Sequence, residues 1–394
     1  MKTAAVIAEF NPFHKGHEYF IKKVRESSGA GCLIAVMSGD FVQRGAPAAF
    51  NKYLRAKAAL EGGCDMVLEL PVRYSVSSAQ YFASGAVSII DSLSAVDELW
   101  FGSECGDARL LMSAADILYD EPDTFKEYLR ESLRQGSTYP YARAKALERF
   151  TGTQYGDVLS APNNILGLEY CIAARRLGSD IRPRTLKRIG PDHASPDAKE
   201  GFMSAAAIRE LLSAGVDTSS ENWLPGYSYD IIKDEKGILC ADDFSQILRY
   251  KILYESTEDL AGYNCVGPDL AARIKKEENH FSSFTGYASH IKTRNYTYSH
   301  ICRAFINIIL NIRKFEDPVI SRPETVRILG ASTDNELFGQ LKNSSSIVLQ
   351  SKASLLKGSS AGDDLNAANL YESVRSMKFK TEFVNELSRP FIKI

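Results

Sequence analysis

The chain has 394 residues, 44% hydrophobic and 24% charged, with a formal net charge of −2. That length calls for more than one ordinary domain, and the composition is that of a globular chain. A near-neutral balance excludes a global polycation, so any nucleic-acid contact has to come from a local patch. The seven cysteines, Cys32, Cys64, Cys105, Cys171, Cys240, Cys265 and Cys302, form no C-x-x-C pair. That argues against a disulfide framework or a zinc site and fits a reducing cytosol. The apolar run near the start (MKTAAVIAEFNPF) is too short for a signal peptide, and no run reaches the ~18 apolar residues of a membrane span.

Thr3 to Ala8 is a short apolar run that predicts a buried strand. Gly16 to Val24 follows with helical spacing through Phe20, Ile21 and Val24. Cys32 to Met37 predicts a second strand ending in the turn Ser38-Gly39-Asp40, and Asn51 to Leu60 a helix. Cys64 to Leu70 predicts a third strand, stopped by Pro71. Ser78 to Leu93 predicts a helix, and Val96 to Phe101 a fourth strand that opens into Gly102-Ser103-Glu104. Residues 108–150 read as amphipathic helix, Asn163 to Leu177 as helix, Ile181 to Ile189 as strand and Ser204 to Ala214 as helix.

Strands alternating with helices imply βαβ units and a parallel sheet. Residues 1–215 are therefore expected to form an α/β domain, a Rossmann-like doubly wound parallel sheet. Residues 216–394 are expected to form a mainly helical domain, with long helices such as Asp243–Tyr254 and Ser299–Lys314 and a small strand-helix-strand excursion within 323–350.

His14 and His17 stand between the first strand and its helix, in "EFNPFHKGHEYFIKKV". Ligands of open parallel sheets bind at the carboxyl ends of strands. A helix start offers free N–H groups and a partial positive charge, which favours an anion and phosphate above all. Gly16 lets a phosphate approach the backbone, and a three-residue spacing lets both imidazoles face it. A zinc-protease helix would need H-E-x-x-H; this spacing is one residue shorter and lacks that Glu, so no metal site is expected.

The segment resembles the H-x-G-H motif of the nucleotidylyltransferase superfamily. Together with "AVMSGDFVQRGAPAAFNKYLRAKAAL", "DMVLELP", "FGSECGD", "SAPNNILGLEY" and "LKRIG", in that order, it is similar to the tRNA(Met) cytidine acetate ligase family. These blocks cover about the first 210 residues; the rest matches by length and character. The resemblance implies a nucleotidylyltransferase-type fold that binds ATP with Mg2+, the metal held mainly by the nucleotide. Acetate would be activated as acetyl-adenylate and the acetyl group passed to N4 of the wobble cytidine of elongator tRNA(Met).

Carried onto this chain, the resemblance implies that Ile7, Ala8, Glu9, Phe10, Asn11, Pro12, Phe13, His14, Lys15, Gly16, His17, Glu18, Tyr19 and Phe20 wrap the ATP. His14 and His17 would be its catalytic phosphate donors, with Gly102, Asn163, Arg188 and Ile189 completing the nucleotide site. Gln43 and Arg44, on the loop after strand two, could hold the carboxylate or the cytidine; the family carries Glu where this chain has Ala46. "MSAAAIR" falls where the superfamily has I-S-S-T-x-I-R. Ser204 matches as a phosphate contact, Ala205 and Ala206 lack the hydroxyls, and Arg209 reads as a structural ion pair.

An RNA acceptor needs an electropositive surface. Residues 271–314 hold eight basic side chains, among them Arg273, Lys275, Lys276, Lys292 and Arg294, against Glu277 and Glu278. Phe281, Phe284, Tyr287, Tyr296 and Tyr298 are interleaved, suited to stack splayed bases. A second basic stretch, Arg175 to Arg188, leads back toward the nucleotide. The expected partners are thus tRNA and acetate, with no membrane and no obligate protein partner, in the cytoplasm. Two other readings stand beside this one: a small-molecule nucleotidylyltransferase, which uses only the first 215 residues, and a non-catalytic RNA-binding protein.

Overall fold

The computed structural model describes residues 1–137, 139–153, 155–189, 202–216, 223–314, 322–332, 339, 341, 343–356 and 361–394. The first half alternates as the pattern predicts: β1 (Thr3–Ala8), α1 (Lys15–Ser28), β2 (Cys32–Ser38), α2 (Lys52–Glu61), β3 (Met66–Leu70), α3 (Ala79–Ser92) and β4 (Glu98–Ser103). Helices at Ala108–Asp120, Asp123–Arg134 and Tyr139–Thr151 intervene before α4 (Pro162–Leu177) and β5 (Arg182–Lys187).

These five strands are parallel and lie in the order 3-2-1-4-5. Their near-continuous apolar runs follow from burial on both faces. Ala5, Ile34, Val36 and Leu99 pack with Phe82 and Val87 of α3 and Leu168 of α4. Their neighbours Ala4, Val6, Leu33, Ala35 and Trp100 pack with Ile21 and Val24 of α1 and Ala56 and Leu60 of α2. The strand order reverses between β1 and β4, and the crevice at that switch point is where such sheets take ligands.

After α5 (Ala205–Ser213) comes a helical region with a core of its own: α6 (Ser245–Tyr254), α7 (Pro268–Lys276), α8 (Phe284–Ile291) and α9 (Tyr298–Ile309). The chain then returns to the sheet. β6 (Thr325–Ala331) pairs antiparallel with β3, with Met66 opposite Ala331. β7 (Val348–Gln350) and β8 (Ile392–Lys393) both pair in parallel with β6, and α10 (Ala361–Phe379) lies between them in sequence. The 323–350 excursion thus supplies sheet strands; its middle, 333–338, lies outside the described residues. A division at residue 215 falls between strands of this one sheet.

The helical region is fastened to the carboxyl ends of the strands. Phe41, which follows β2, and Val72 and Val76, which follow β3, are built into its core. Asn307 of α9 donates to the Val76 carbonyl at 2.9 Å, and Asn264 donates to Ser77 Oγ at 2.8 Å. At the other end of the chain, Glu386 pairs with the buried Lys52 at 2.8 Å and Arg327 at 3.1 Å and accepts from Tyr53 at 2.7 Å.

Candidate active site

The chain leaves β1 into the crevice and starts α1 on His14. His14 is the N-cap: its Nδ1 accepts the Gly16 N–H at 3.0 Å, while His17 Nδ1 accepts the His14 N–H at 3.3 Å. Ser or Thr with Glu usually closes this reciprocal box; here two imidazoles do. Because each Nδ1 accepts, each neutral ring carries its proton on Nε2. The rings stack with centroids 3.8 Å apart. Burial, with the charges of Arg188 and Arg209, pushes His14 down to about 3. Burial, then His14 and Arg188, holds His17 well below the ordinary histidine range. Both therefore stand neutral at physiological pH, as N–H donors at the positive end of a helix whose first amides are already bonded, Lys15 to Trp223, Gly16 to His14 Nδ1, and His17 and Glu18 to the His14 carbonyl. Gly16 makes room for the cap, since a Cβ there would lie 2.8 Å from His14 Cε1.

Two guanidinium groups complete the cationic wall. Arg209 of α5 is half-buried and donates to the Asn11 carbonyl at 2.7 Å. Arg188 follows β5, and a Cβ on Gly102 would come within 3.2 Å of its Cγ. Opposite, Glu104 accepts from the Asn163 and Asn164 amides at 3.2 and 2.8 Å, and from Asn163 Nδ2 at 2.6 Å. Glu104 therefore caps α4, while at the start of α1 the two imidazoles are the side-chain donors that an anion would meet. Donors predominate, so the arrangement can grip a polyphosphate and stabilise charge that builds on it.

The HIGH Nucleotidyl Transferase family matches residues 1–386. A tRNA(Met) cytidine acetate ligase of Acetivibrio thermocellus is 38% identical over 368 residues, covering 90% of this chain and 89% of that protein. One from Clostridium perfringens is 34% identical and covers 98% of both chains. The chain belongs to the tRNA(Met) cytidine acetate ligase family. The crystal structure of Thermotoga maritima TmcAL in its apo form matches with a TM-score of 0.93 at 30% identity over all of both chains. The same protein bound with alpha-thio ATP matches with a TM-score of 0.91 at 30% identity, over all of this chain and 99% of that one. The likeness to this ligase family thus extends well beyond residue 210, through the helical region and the returning strands.

Within the ligase fold, the residues of the H-x-G-H stretch divide by role. Ile7 and Ala8 end β1, and Glu9 accepts the Gln43 amide at 2.8 Å. Phe10 and Phe13 turn into the core beneath His17, Pro12 is buried, and Asn11 Oδ1 accepts the Ala49 amide at 2.8 Å. Lys15 donates its amide to the Trp223 carbonyl at 2.9 Å. Glu18 accepts from Tyr227 at 3.1 Å, Tyr19 packs on Phe202, and Phe20 packs against the core. Ile189 and Arg44 are exposed, and Gln43 Nε2 reaches the Ser77 carbonyl at 3.4 Å.

Ser204 Oγ accepts the Ala207 amide at 3.2 Å as the N-cap of α5, which leaves its hydroxyl proton to donate. The structure corrects two readings. Arg209 is bonded to a backbone carbonyl at the crevice and makes no ion pair among the described residues. Phe281, Phe284 and Tyr287 lie in the helical core, where their apolar rings gain more from burial than from display. They are not free to stack bases. Of the basic residues there, Arg273 donates to the Ile291 carbonyl at 2.7 Å and Lys275 to the Ile252 carbonyl at 2.8 Å, while Lys276, Lys292 and Arg294 are exposed. Glu277 receives His280 and His290 at 3.2 and 2.9 Å. Sequence reasoning missed Glu104 as a helix cap, because no local spacing marks a cap supplied from 59 residues away.

Proposed function

We propose that this chain is an ATP-dependent tRNA(Met) cytidine acetate ligase. A carboxylate oxygen of acetate attacks the α-phosphorus of ATP, the bond to the β-bridging oxygen breaks, and pyrophosphate leaves. The N4 amine of the wobble cytidine of elongator tRNA(Met) then attacks the acetyl carbonyl. It loses a proton and releases AMP, leaving N4-acetylcytidine. The carrying observation is the pair of neutral, Nε2-protonated imidazoles at the mouth of the switch point, in a chain alike to such ligases over nearly its full length.

His14 and His17 donate from Nε2 to phosphoryl oxygens, and the positive end of the α1 dipole adds to them. Arg188 and Arg209 take the charge of the leaving pyrophosphate. Gly102 leaves the floor of the crevice open, and Asn163, oriented by Glu104, faces the nucleoside side. Magnesium fits as a companion of the nucleotide, because the crevice wall is rich in cations and N–H donors rather than clustered carboxylates. The substrate carboxylate is itself the nucleophile, so the enzyme needs no Ser-His-Asp or Cys-His set. The reaction belongs in the cytoplasm, where its RNA is, and asks for no protein partner.

The test is release of pyrophosphate from ATP that depends on acetate, followed by digestion of the tRNA to look for N4-acetylcytidine. A small-molecule nucleotidylyltransferase would release pyrophosphate with its own acceptor and without acetate.

A further inference from the structure

The loop from β2 to α2 carries a small hairpin, Phe41–Val42 against Ala46–Pro47, that touches the two halves of the molecule at once. On one side the Gln43 amide binds Glu9, which follows β1 at the crevice. On the other, Gly45 (φ +80) rests so closely on α9 that a Cβ would fall within the backbone of Cys302 and Arg303. Arg303 thus lies at the seam, one hairpin away from the phosphate seat.

Its environment is unlike that of the other inward guanidinium groups. Arg55 is held by the carbonyls of Glu9, Ser38, Gly39 and Phe50. Arg327 pairs with Glu386, and Arg143 with Glu169. Arg303 is half-buried and, unlike these last two, makes no ion pair among the described residues; its Nε, like that of Arg327, is buried with no hydrogen-bond partner. Its side-chain neighbours are the thiol of Cys265, to which it hydrogen-bonds, the thiol of Cys302 and the ring of His300. A thiol is a weak acceptor, burying a cation with no carboxylate partner is costly, and a planar fork of this kind matches a phosphate. Exposed cations stand on the neighbouring stretches of chain, Arg44 beside Gly45 on the hairpin and Lys292 and Arg294 on the segment before α9.

We propose that Arg303 binds a backbone phosphodiester of the RNA acceptor at the seam and so positions the acceptor base over the adenylate. This rests on the ligase reading, with RNA as acceptor. The hairpin that rests on the Arg303 backbone leads on to Glu9 and the phosphate seat. Arg303 touches neither ATP nor acetate; it is a positioning residue for the second half-reaction alone.

The experiment separates the two half-reactions in the full-length protein. Acetate-dependent exchange of labelled pyrophosphate into ATP reads activation, and formation of N4-acetylcytidine reads transfer. For Arg303→Ala, exchange should stay within about twofold of wild type, while KM for the tRNA rises about tenfold or more. The slope of log kcat/KM against log salt should flatten by about 0.7, the share of a single phosphate neutralised by one cation. Arg303→Lys, which keeps the charge without the fork and guards against misfolding, should recover part of the KM and most of the slope. An unchanged KM and salt slope in both variants overturns the proposal. So does a parallel loss of exchange and transfer, since that marks a structural role. If wild-type protein shows exchange but makes no N4-acetylcytidine, the acceptor reading itself fails and the proposal falls with it.

Discussion

His14 combines a structural and a proposed catalytic duty, and substitution can separate them. Its Nδ1 caps α1, and its Nε2–H has no hydrogen-bond partner among the described residues. Asn is a strong N-cap residue and can accept the Gly16 amide, but it has no N–H at the place of Nε2. His14→Asn should therefore keep stability near wild type and lose about 10²–10³ in acetate-dependent pyrophosphate exchange, the usual effect of removing one donor aimed at developing charge. His14→Ala should show a similar rate loss and in addition lose about 1 kcal/mol of stability, the typical value of an N-cap. Urea unfolding followed by circular dichroism measures the stability, and isotope exchange at saturating ATP and acetate measures the rate. His17 keeps its own bond in both variants, because that bond runs to the backbone N–H of residue 14. An Asn variant that exchanges pyrophosphate at the wild-type rate would refute the phosphate role and leave His14 as a cap alone.

Four further outcomes are expected. His14 is pushed down to about 3 in the folded chain, so the unfolded chain takes up its proton first as pH falls. Its contribution to stability is complete above about 6.5 and is lost as pH falls from there toward 3, by up to about 1.4 kcal/mol per pH unit; urea midpoints across that range should be flatter for His14→Asn. Asp364 is pushed the other way, to about 8, by burial and then by Glu69. The folded chain holds that proton more tightly, so stability falls as pH rises from about 4 to 8. Asp364→Asn keeps an acceptor for the Val72 amide and should gain on wild type across that range in the same titration. Lys52 is buried between Glu69 at 2.7 Å and Glu386 at 2.8 Å. Lys52→Met leaves the buried Glu69 without an ion pair among the described residues and Glu386 with Arg327 alone, and should cost about 3–5 kcal/mol in urea unfolding. Gly45→Ala combines a positive φ with a collision against α9; it should slow acetyl transfer more than pyrophosphate exchange, and equal slowing would show that the hairpin serves both steps.

The strands of the parallel sheet and the two histidines are legible because their signals are local. A run such as CLIAVM is apolar throughout since both faces of β2 are covered, and H-x-G-H needs only three residues to state its geometry. Strand β6 reads as a strand equally well, but its antiparallel docking on β3 depends on a pairing across some 260 residues that no periodicity encodes. A still longer separation in the chain hides the bond of Glu386 to Lys52. In the helical region the pattern misleads for a different reason. Aromatics interleaved with cations look alike whether the rings face water or the core, and Phe284 and Tyr287 are settled by helix packing against Phe305, with Tyr287 stacked on it at 5.6 Å. Arg209 reads as a structural ion pair because a sequence cannot show that α5 delivers it to the Asn11 carbonyl.

Why imidazoles rather than lysines at the phosphate seat follows from the same electrostatics. Arg188 and Arg209 already bring two positive charges to a crowded crevice, and two stacked rings 3.8 Å apart would add a severe repulsion if both were protonated. Neutral histidines avoid that cost in the free enzyme and still present N–H donors. A triphosphate offsets the guanidinium charges, but either ring could take a second proton only at Nδ1, where it would lose its bond to the helix backbone. The rings should therefore stay neutral when nucleotide binds near pH 6. The Nδ1 and Nε2 shifts of histidine labelled with nitrogen-15 read this directly in the complex. A doubly protonated pattern at pH 6 would mean that the caps give way and that the rings, not the guanidinium groups alone, answer the charge.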